Sequence, residues 1–209
     1  MATEFEIVVV GTSTGGLKAL QTLLSGLPAG FPLPIVIVQH RGKGSESGLG
    51  EFLSQWSSVP VAEPEDKEPV RRGYAYLAPR DYHLLIENRS FALSTDPPVG
   101  FARPSIDLLF ESAANEYQER AIGVILTGAN RDGARGLAAI QSRGGLALVE
   151  EPVSAACREM PEAAIAQTKP DWILPLEEIA PRLHKLSESA TPRVPPGQKP
   201  HEVIIRHGS

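Results

Sequence analysis

Short, wholly apolar runs alternate along this chain with longer segments whose apolar residues recur at helical spacing. Ile7–Val10 and Ile35–Val38 are β-branched runs without polar alternation, which is typical of strands buried on both faces of a parallel sheet. The segment between them predicts a helix that stops at Gly26 and Pro28. Its apolar positions are Leu17, Leu20, Leu23 and Leu24. This order of elements is a βαβ unit.

A second unit follows the same order further along the chain. Ile122–Leu126 and Leu146–Val149 read as strands, and the helix between them carries Leu137 and Ile140 before a Gly-Gly pair. The end of the chain predicts one more strand and one more helix, at Trp172–Leu174 and Leu176–Leu186 respectively.

The middle of the chain is less regular. Tyr74–Ala78 reads as a strand, and His83–Ile86 with Phe91–Ser94 reads as an antiparallel hairpin appended to the main sheet. Ile106–Tyr117 predicts a helix with Ser105 as its N-cap. The residues assigned to one face of that helix are Leu108, Leu109 and Ala113.

This alternation indicates an α/β fold, doubly wound, with a mostly parallel sheet, helices on both faces and a small antiparallel hairpin. We expect one domain over residues 1–186. A Pro-rich, flexible tail is expected over residues 187–209.

Composition narrows the possible functions. The chain has 209 residues, 42% of them hydrophobic, and a formal net charge of -5, so it can bury one sizeable core but is not built to bind nucleic acid. Cys157 is the single cysteine, which excludes an internal disulfide and suits a reducing cytoplasm. The acidic N-terminus is not a secretory signal, and aliphatic runs such as Ile35–Val38 are too short to insert into a membrane.

The turn after the first predicted strand carries the strongest chemical signal. Gly11, Ser13 and Gly15 fit the G-x-S-x-G pattern of a nucleophile elbow, and the strand-to-helix context supports it. The backbone N–H of Thr14, at the helix N-terminus, is the natural first donor to an oxyanion. The structural alternative is a Gly-rich turn in which Ser13 acts as a helix cap.

A degenerate dinucleotide-binding loop is a second functional interpretation of this turn. Gly11, Ser13 and Gly16 occupy the G-x-G-x-x-G spacing, but serine replaces the middle glycine. The second strand also ends in Gln39-His40, where that fold needs an acidic residue for the ribose. The pattern favours the hydrolase.

His40 and Asp132 complete the hypothesis. His40 ends the second strand and Asp132 follows Ile122–Leu126; because the carboxyl ends of neighbouring parallel strands face one crevice, both should lie near Ser13. An imidazole can accept and return the serine proton, and a carboxylate can orient the imidazole ring. Taken alone, His40 would be a structural or surface histidine and Asp132 an N-cap for the helix that begins near Ala134.

Other histidines and aspartates are weaker candidates. The histidines lie in the hairpin, the last helix or the tail, and the aspartates do not follow a parallel strand. They are His83, His184, His201, His207, Asp81, Asp96 and Asp107.

Over roughly Ile7 to Leu183 the sequence resembles the catalytic domain of the chemotaxis protein-glutamate methylesterases, the CheB family. The resemblance is carried by six ordered blocks. They are Gly11-Thr12-Ser13-Thr14-Gly15-Gly16, Gln39-His40, Tyr76-Leu77-Ala78-Pro79, Arg103-Pro104-Ser105-Ile106-Asp107, Leu126-Thr127-Gly128 with Asp132-Gly133, and Met160-Pro161-Glu162-Ala163-Ala164-Ile165.

The resemblance implies hydrolysis of glutamate γ-methyl esters on methyl-accepting chemotaxis receptors, with release of methanol and related glutamine deamidation. It implies that the reaction uses no metal and no cofactor and that the protein is cytoplasmic. We also expect the protein to be a monomer. By position, Ser13, His40 and Asp132 match the family's nucleophile, base and acid. Thr14 and Ala129 match its backbone oxyanion donors.

Three departures from the family pattern bear on function. Ala129-Asn130 stands where the family usually carries Met-Gly, and the basic segment Arg41–Ser45 stands where proline often follows the histidine. The chain starts directly at the catalytic domain, so we expect no regulation by a receiver domain in cis. The altered Ala129–Arg131 loop keeps a rival hypothesis open, a catalytically weak receptor-binding or scaffold module of the same fold.

Overall fold

A computed structural model describes residues 4–40 and 48–188 of the chain. The predicted basic loop Arg41–Ser45 lies outside the described residues. Residues 189–209 of the predicted tail also lie outside the described residues. Residues 187 and 188, which were predicted to begin the tail, belong to the last helix, which continues to Glu188.

Within the described ranges, seven strands form one parallel sheet in the order β3-β4-β2-β1-β7-β8-β9. The strands are β1 (Ile7–Thr12), β2 (Ile35–Gln39), β3 (Val61–Ala62), β4 (Ala75–Leu77), β7 (Ala121–Ile125), β8 (Leu146–Glu150) and β9 (Trp172–Leu174). β1 is central, with β2 on one side and β7 on the other. Every residue of these three strands is buried, as expected for strands covered on both faces.

Helices cover both faces of the sheet. They are α1 (Gly16–Ser25), α2 (Leu49–Ser54), α3 (Ile106–Tyr117), α4 (Ala134–Ser142), α5 (Glu159–Gln167) and α6 (Leu176–Glu188). Side chains alternate along β1, so Val8 and Val10 pack in a core with α1, α2 and α6, whereas Ile7 and Val9 pack in a second core with α3, α4 and α5. The predicted doubly wound architecture is confirmed.

The hairpin consists of β5 (His83–Glu87) and β6 (Ser90–Ser94), which pair antiparallel as a separate two-stranded sheet. Leu84 and Phe91 are fully buried in the second core. The hairpin is tied to α3 by the N–H of Ile86, which donates to the Ser112 hydroxyl at 3.0 Å. It is therefore part of the core that supports α3 rather than an outlying appendage.

Two helical faces differ in detail from the prediction. Leu17 is about half exposed, 47%, whereas Leu20, Leu23 and Leu24 are on the buried face of α1. Leu108 is only partly buried, and Ile106 and Phe110 lie on the buried face of α3 instead. Both helices form where predicted, rotated so that their longest apolar rows meet the strands.

Candidate active site

Ser13 lies on a sharp turn between β1 and α1. Its N–H donates to the carbonyl of Thr127 at 3.0 Å, and its own carbonyl accepts the N–H of Gly16 at 2.9 Å. Gly15 has a φ of 82°, and a Cβ there would lie 2.6 Å from the Cβ of Ala156. The turn thus needs glycine for both its conformation and its space, as the G-x-S-x-G pattern predicts.

Strand register places His40 beside Ser13. Thr12, the last residue of β1, pairs with Gln39, the last residue of β2. Ser13 and His40 therefore directly follow two paired residues on neighbouring strands. The N–H of His40 donates to the carbonyl of Thr12 at 3.0 Å. The Gln39 side-chain amide donates to the carbonyls of Ser13 at 2.9 Å and His40 at 2.7 Å. Gln39 therefore fixes the two turns relative to each other.

Asp132 enters from the loop after β7 and contacts His40. Nε2 of His40 lies 2.8 Å from Oδ2 of Asp132, and both side chains are mostly buried. The same carboxylate accepts the N–H groups of Ile106 at 2.7 Å and Asp107 at 3.0 Å, and the Ser105 hydroxyl at 3.0 Å. It therefore lies on the N-terminus of α3, where free amides and the helix dipole favour an anion.

These contacts keep Asp132 ionised. Burial by itself acts to raise the pKa of Asp132, but hydrogen bonds from His40 and from the amides of Ile106 and Asp107 outweigh it, and the pKa is lowered. An ionised carboxylate can accept a hydrogen bond from the N–H of the imidazole ring without taking the proton itself. It can orient the imidazole and stabilise its positive charge.

The alternative role of Asp132 as an N-cap of its own helix is wrong. Gly133 occupies the cap position of α4 with no side-chain cap, and the amides of Gly133 and Gly136 donate instead to Oδ1 of Asp107, at 2.9 and 2.7 Å. Ser105 is at the N-cap position of α3 as predicted, but its hydroxyl donates to Asp132 rather than accepting a helix amide.

α3 and α4 thus exchange capping carboxylates. Asp132, just before α4, caps α3, and Asp107, in the first turn of α3, caps α4. Burial raises the pKa of Asp107; the Gly136 amide opposes the shift, and the nearby negative charge of Asp132 adds to it. The acid proposed for the site is therefore fixed by the packing of two helices, which stabilises its position.

Thr127 connects the serine turn to the loop of Asp132. Its hydroxyl accepts the N–H of Cys157 at 2.8 Å and donates to the carbonyl of Thr14 at 2.9 Å. Its own N–H donates to buried Glu150 at 2.7 Å. Burial raises the pKa of Glu150, and the hydrogen bond from Thr127 partly offsets the rise. Polar residues at the ends of β7 and β8 hold the turns in place.

The two predicted oxyanion donors are free to bind a ligand. Within residues 4–40 and 48–188, neither the N–H of Thr14 nor that of Ala129 has a protein acceptor, whereas the N–H groups of Ser13 and Gly128 do. Thr14 lines the same cavity as Ser13, and Ala129 lines an adjoining hollow. Free backbone donors are what a developing oxyanion needs, and the N–H of Thr14 also lies just before the N-terminus of α1.

The Ser13 hydroxyl and His40 share a cavity of about 590 Å³. Across the described ranges, no hydrogen bond joins that hydroxyl to either ring nitrogen. Nε2 of His40 faces Asp132, and Nδ1 lies 3.1 Å from the side-chain amide nitrogen of Asn130. The structure therefore joins His40 to Asp132, and Ser13 lines the same cavity as His40.

An exposed turn forms the rim of this cavity. Val99 and Ala102 exchange two backbone hydrogen bonds, at 3.0 and 2.9 Å, around Gly100 and Phe101. Both central residues have positive φ, 55° and 69°, and the Phe101 side chain is fully exposed. Arg103 anchors the loop by donating to the carbonyls of Thr95 and Asp96. The turn therefore presents one large apolar side chain to solvent beside the cavity.

The weaker candidates from the sequence lie in other environments. His83 is buried, and its ring bonds the carbonyl of Pro97 at 3.2 Å and the N–H of Ser105 at 3.2 Å. It thus supports the residue that contacts Asp132. His184 faces Glu188 on α6 at 3.7 Å. Asp81 pairs with Arg80 at the far side of the cavity, and Asp96 accepts the Ser94 hydroxyl; His201 and His207 lie outside the described residues.

Several contributing residues escaped the sequence analysis. The side chains of Gln39, Thr127 and Glu150 each end or follow an apolar strand, and polar residues at that position are the signal that could have found them. No strand directly precedes Asp107, and the side chain of Asn130 belongs to no pattern that predicts its contact with His40.

Two features are absent from the residues that the structure describes. No cluster of three or more histidine, cysteine, aspartate or glutamate side chains there could hold a metal ion. None of the helices in the described ranges has the length and apolar character required to span a membrane.

Two proteins similar in sequence to this chain carry names that state the same two activities. A protein of Anaeromyxobacter dehalogenans named protein-glutamate methylesterase/protein-glutamine glutaminase 2 is 41% identical over 186 residues, which are 89% of this chain and 54% of the relative. A Leptospira interrogans protein, whose name carries the same two activities as a provisional assignment, is 45% identical over 88% of this chain and 96% of its own length. The chain therefore spans about half of the first relative and nearly all of the second.

A solved structure and a family description agree with these relatives. The catalytic domain of the Thermotoga maritima CheB methylesterase superposes with a TM-score of 0.83 at 35% identity, over 88% of this chain and 100% of that domain. Residues 8–183 match the family described as CheB methylesterase. Since that match covers most of the chain, the chain belongs to the CheB methylesterase family.

Proposed function

We propose that this chain is a serine hydrolase that removes methyl esters from glutamate side chains of methyl-accepting chemotaxis receptors and releases methanol. The observation that carries the proposal is the contact of 2.8 Å between Asp132 and His40, which lines one cavity together with Ser13. The related deamidation of glutamine uses the same groups, with ammonia as the leaving group. No cofactor enters either reaction.

The reaction begins at Ser13. Its Oγ attacks the ester carbonyl carbon while His40 takes the hydroxyl proton. The carbonyl oxygen becomes an oxyanion that accepts hydrogen bonds from the N–H groups of Thr14 and Ala129. Asp132 stays ionised, because its pKa is lowered, and stabilises the imidazolium.

Collapse of the tetrahedral intermediate breaks the bond between carbonyl carbon and methoxyl oxygen. His40 gives its proton to the departing methoxide, methanol leaves, and the glutamyl group remains esterified to Ser13. A water molecule then attacks this acyl-enzyme, and His40 accepts its proton and returns it to Ser13. The products are a glutamate side chain and the free enzyme.

The rim of the cavity suits a protein substrate. A cavity of about 590 Å³ is within the range that holds a drug-sized group, enough for a methylated glutamyl side chain and adjoining backbone. Phe101 projects beside it into solvent. An exposed aromatic side chain at a rim contributes contact area to a bound protein, so receptor helices should gain affinity there and small esters should not.

The test is methanol release from methylated receptor fragments by the wild type, by Ser13→Ala and by a matched control. In Ser142→Ala the hydroxyl that is removed bonds only the Ala139 carbonyl at an exposed helix end, so this variant should keep wild-type turnover. Ser13→Ala should lose at least about a thousandfold, since removing one triad member abolishes nucleophilic catalysis. Methanol release at the wild-type rate by Ser13→Ala would refute the proposal.

A fluorophosphonate probe gives an independent readout. An activated serine reacts readily with it and an ordinary serine does not. The wild type should be labelled at Ser13. A wild type that binds receptors but is neither labelled nor able to release methanol is a binding module, which is the rival hypothesis from the sequence.

A further inference from the structure

The side chain of Asn130 bridges the two residues that are expected to handle the proton. Its Nδ2 lies 3.1 Å from Nδ1 of His40, and its Oδ1 accepts the backbone N–H of Asp132 at 3.0 Å. His40 in turn contacts the Asp132 carboxylate through Nε2. The three residues form a closed ring of hydrogen bonds.

The backbone donor fixes every orientation in this ring. An amide N–H can only donate, so the oxygen end of Asn130 must face Asp132 and the NH₂ end must face His40. The NH₂ group donates, so Nδ1 of His40 must accept and carries a lone pair. The ring proton is then on Nε2, where it meets the carboxylate of Asp132.

This arrangement occupies the atom that the reaction needs. Because Nε2 is bonded to Asp132, Nδ1 is the nitrogen left to take the proton of Ser13. In the protein without substrate, the Asn130 NH₂ group donates a hydrogen bond to the lone pair of Nδ1. No described hydrogen bond joins His40 to the Ser13 hydroxyl. Asn130 also lines the cavity with Ser13 and His40, so an entering substrate meets it.

We infer that Asn130 is a positioning residue that fixes the reactive tautomer of His40 and holds its proton-accepting nitrogen until substrate displaces the amide. The inference rests on the proposed function. It predicts that Asn130 limits the reactivity of Ser13 as long as no substrate displaces the Asn130 side chain from His40.

A purely structural role predicts different results. If Asn130 merely braces its loop by accepting the Asp132 N–H, aspartate would do so equally well, and Asn130→Asp would resemble the wild type. Asn130→Ala would then be slower, because the loop would loosen. The positioning role predicts the opposite order.

The experiment compares the rates at which a small fluorophosphonate labels the wild type, Asn130→Ala, Asn130→Asp and Asn115→Asp. Asn130→Ala should be labelled about two- to tenfold faster, the factor expected from freeing one neutral hydrogen bond. Asn130→Asp should be at least about tenfold slower, because a carboxylate facing Nδ1 keeps a proton there and leaves His40 no lone pair for Ser13. Asn115→Asp makes the same charge change on an exposed face of α3 and should match the wild type.

The ¹⁵N resonances of His40 provide a readout that loop bracing would not move. The wild type at neutral pH should show the tautomer protonated at Nε2, and Asn130→Asp should show protons on both nitrogens. Thermal unfolding of each variant separates misfolding from altered chemistry. The inference would be overturned if Asn130→Ala were labelled more slowly than the wild type and Asn130→Asp were labelled at the wild-type rate. Labelling that depends on Ser13 would in that case still support the proposed function. A wild type with no Ser13-dependent labelling would overturn both.

Discussion

Replacing Asp132 should reduce stability and activity by two separable mechanisms. Asp132→Ala removes the acceptor for the amides of Ile106 and Asp107, which begin α3 in an environment with little solvent access. Asp132→Asn keeps one acceptor oxygen, and its NH₂ replaces either Oδ2, which faces both His40 and the Ile106 N–H, or Oδ1, which faces the Asp107 N–H and the Ser105 hydroxyl. The first variant mainly tests capping, and the second mainly tests the tautomer.

The magnitudes follow from the contacts. A lost N-cap bond costs about 1 kcal/mol, and a buried amide without an acceptor costs about 1–3 kcal/mol. Two orphaned amides therefore predict a loss of about 2–6 kcal/mol for Asp132→Ala, or about 4–24 °C in Tm for a domain of this size. When the NH₂ of Asp132→Asn occupies the Oδ2 position, the Nε2 proton of His40 loses its acceptor, and turnover should fall about 10³- to 10⁴-fold.

Calorimetry and methanol release measure the two effects in the same samples. Asp171→Asn is the matched control, because Asp171 also accepts a backbone N–H, that of Ala147 at 2.8 Å, but directly precedes the edge strand β9, three strands along the sheet from β1. It should lower Tm without changing turnover. A wild-type Tm for Asp132→Ala would refute the capping argument, and wild-type turnover for Asp132→Asn would refute the tautomer argument.

Three further predictions follow from the same geometry. Because the folded pKa of Asp132 is lowered, its stabilisation is complete above about pH 4 and is lost as pH falls through the folded value; the gap in unfolding free energy between wild type and Asp132→Ala should narrow in acid, and a gap that widens would contradict this. Gly15→Ala should cost at least about 1–2 kcal/mol from its positive φ alone and slow fluorophosphonate labelling of Ser13, whereas unchanged labelling would show that the turn adapts. Phe101→Ala should raise KM for methylated receptor fragments about tenfold and leave hydrolysis of a small glutamate methyl ester unchanged; equal effects on both substrates would argue against docking at the rim.

The sequence predicted what depends on local pattern and on the common edge of parallel strands. Unbroken β-branched runs identified β1 and β2, and their parallel arrangement predicted that Ser13 and His40 would be neighbours. The short elements were missed. β3 has two residues, α2 has six, and α5 buries few apolar side chains, so neither period 2 nor period 3.6 is sustained in them.

The direction of each polar side chain could not be read from the sequence. Asp132 precedes α4 in the chain and therefore fits a local cap, yet it bonds α3, which lies about 25 residues earlier. Only the packing of α3 against α4 makes the distant amides closer than the local ones. The contact of Asn130 with His40 has the same origin, because a side chain in a loop carries no periodic signal for the strand it will face.

The exchange of carboxylates between α3 and α4 bears on how this fold can diverge. A descendant that abandons hydrolysis can lose the serine or the histidine at small cost to folding, because neither side chain caps a helix. Selection for a folded domain would still retain the aspartates at 107 and 132. An inactive descendant should therefore be recognisable by an intact pair of aspartates beside a vanished nucleophile, and the persistence of Asp132 in a homologue is not by itself a sign of catalysis.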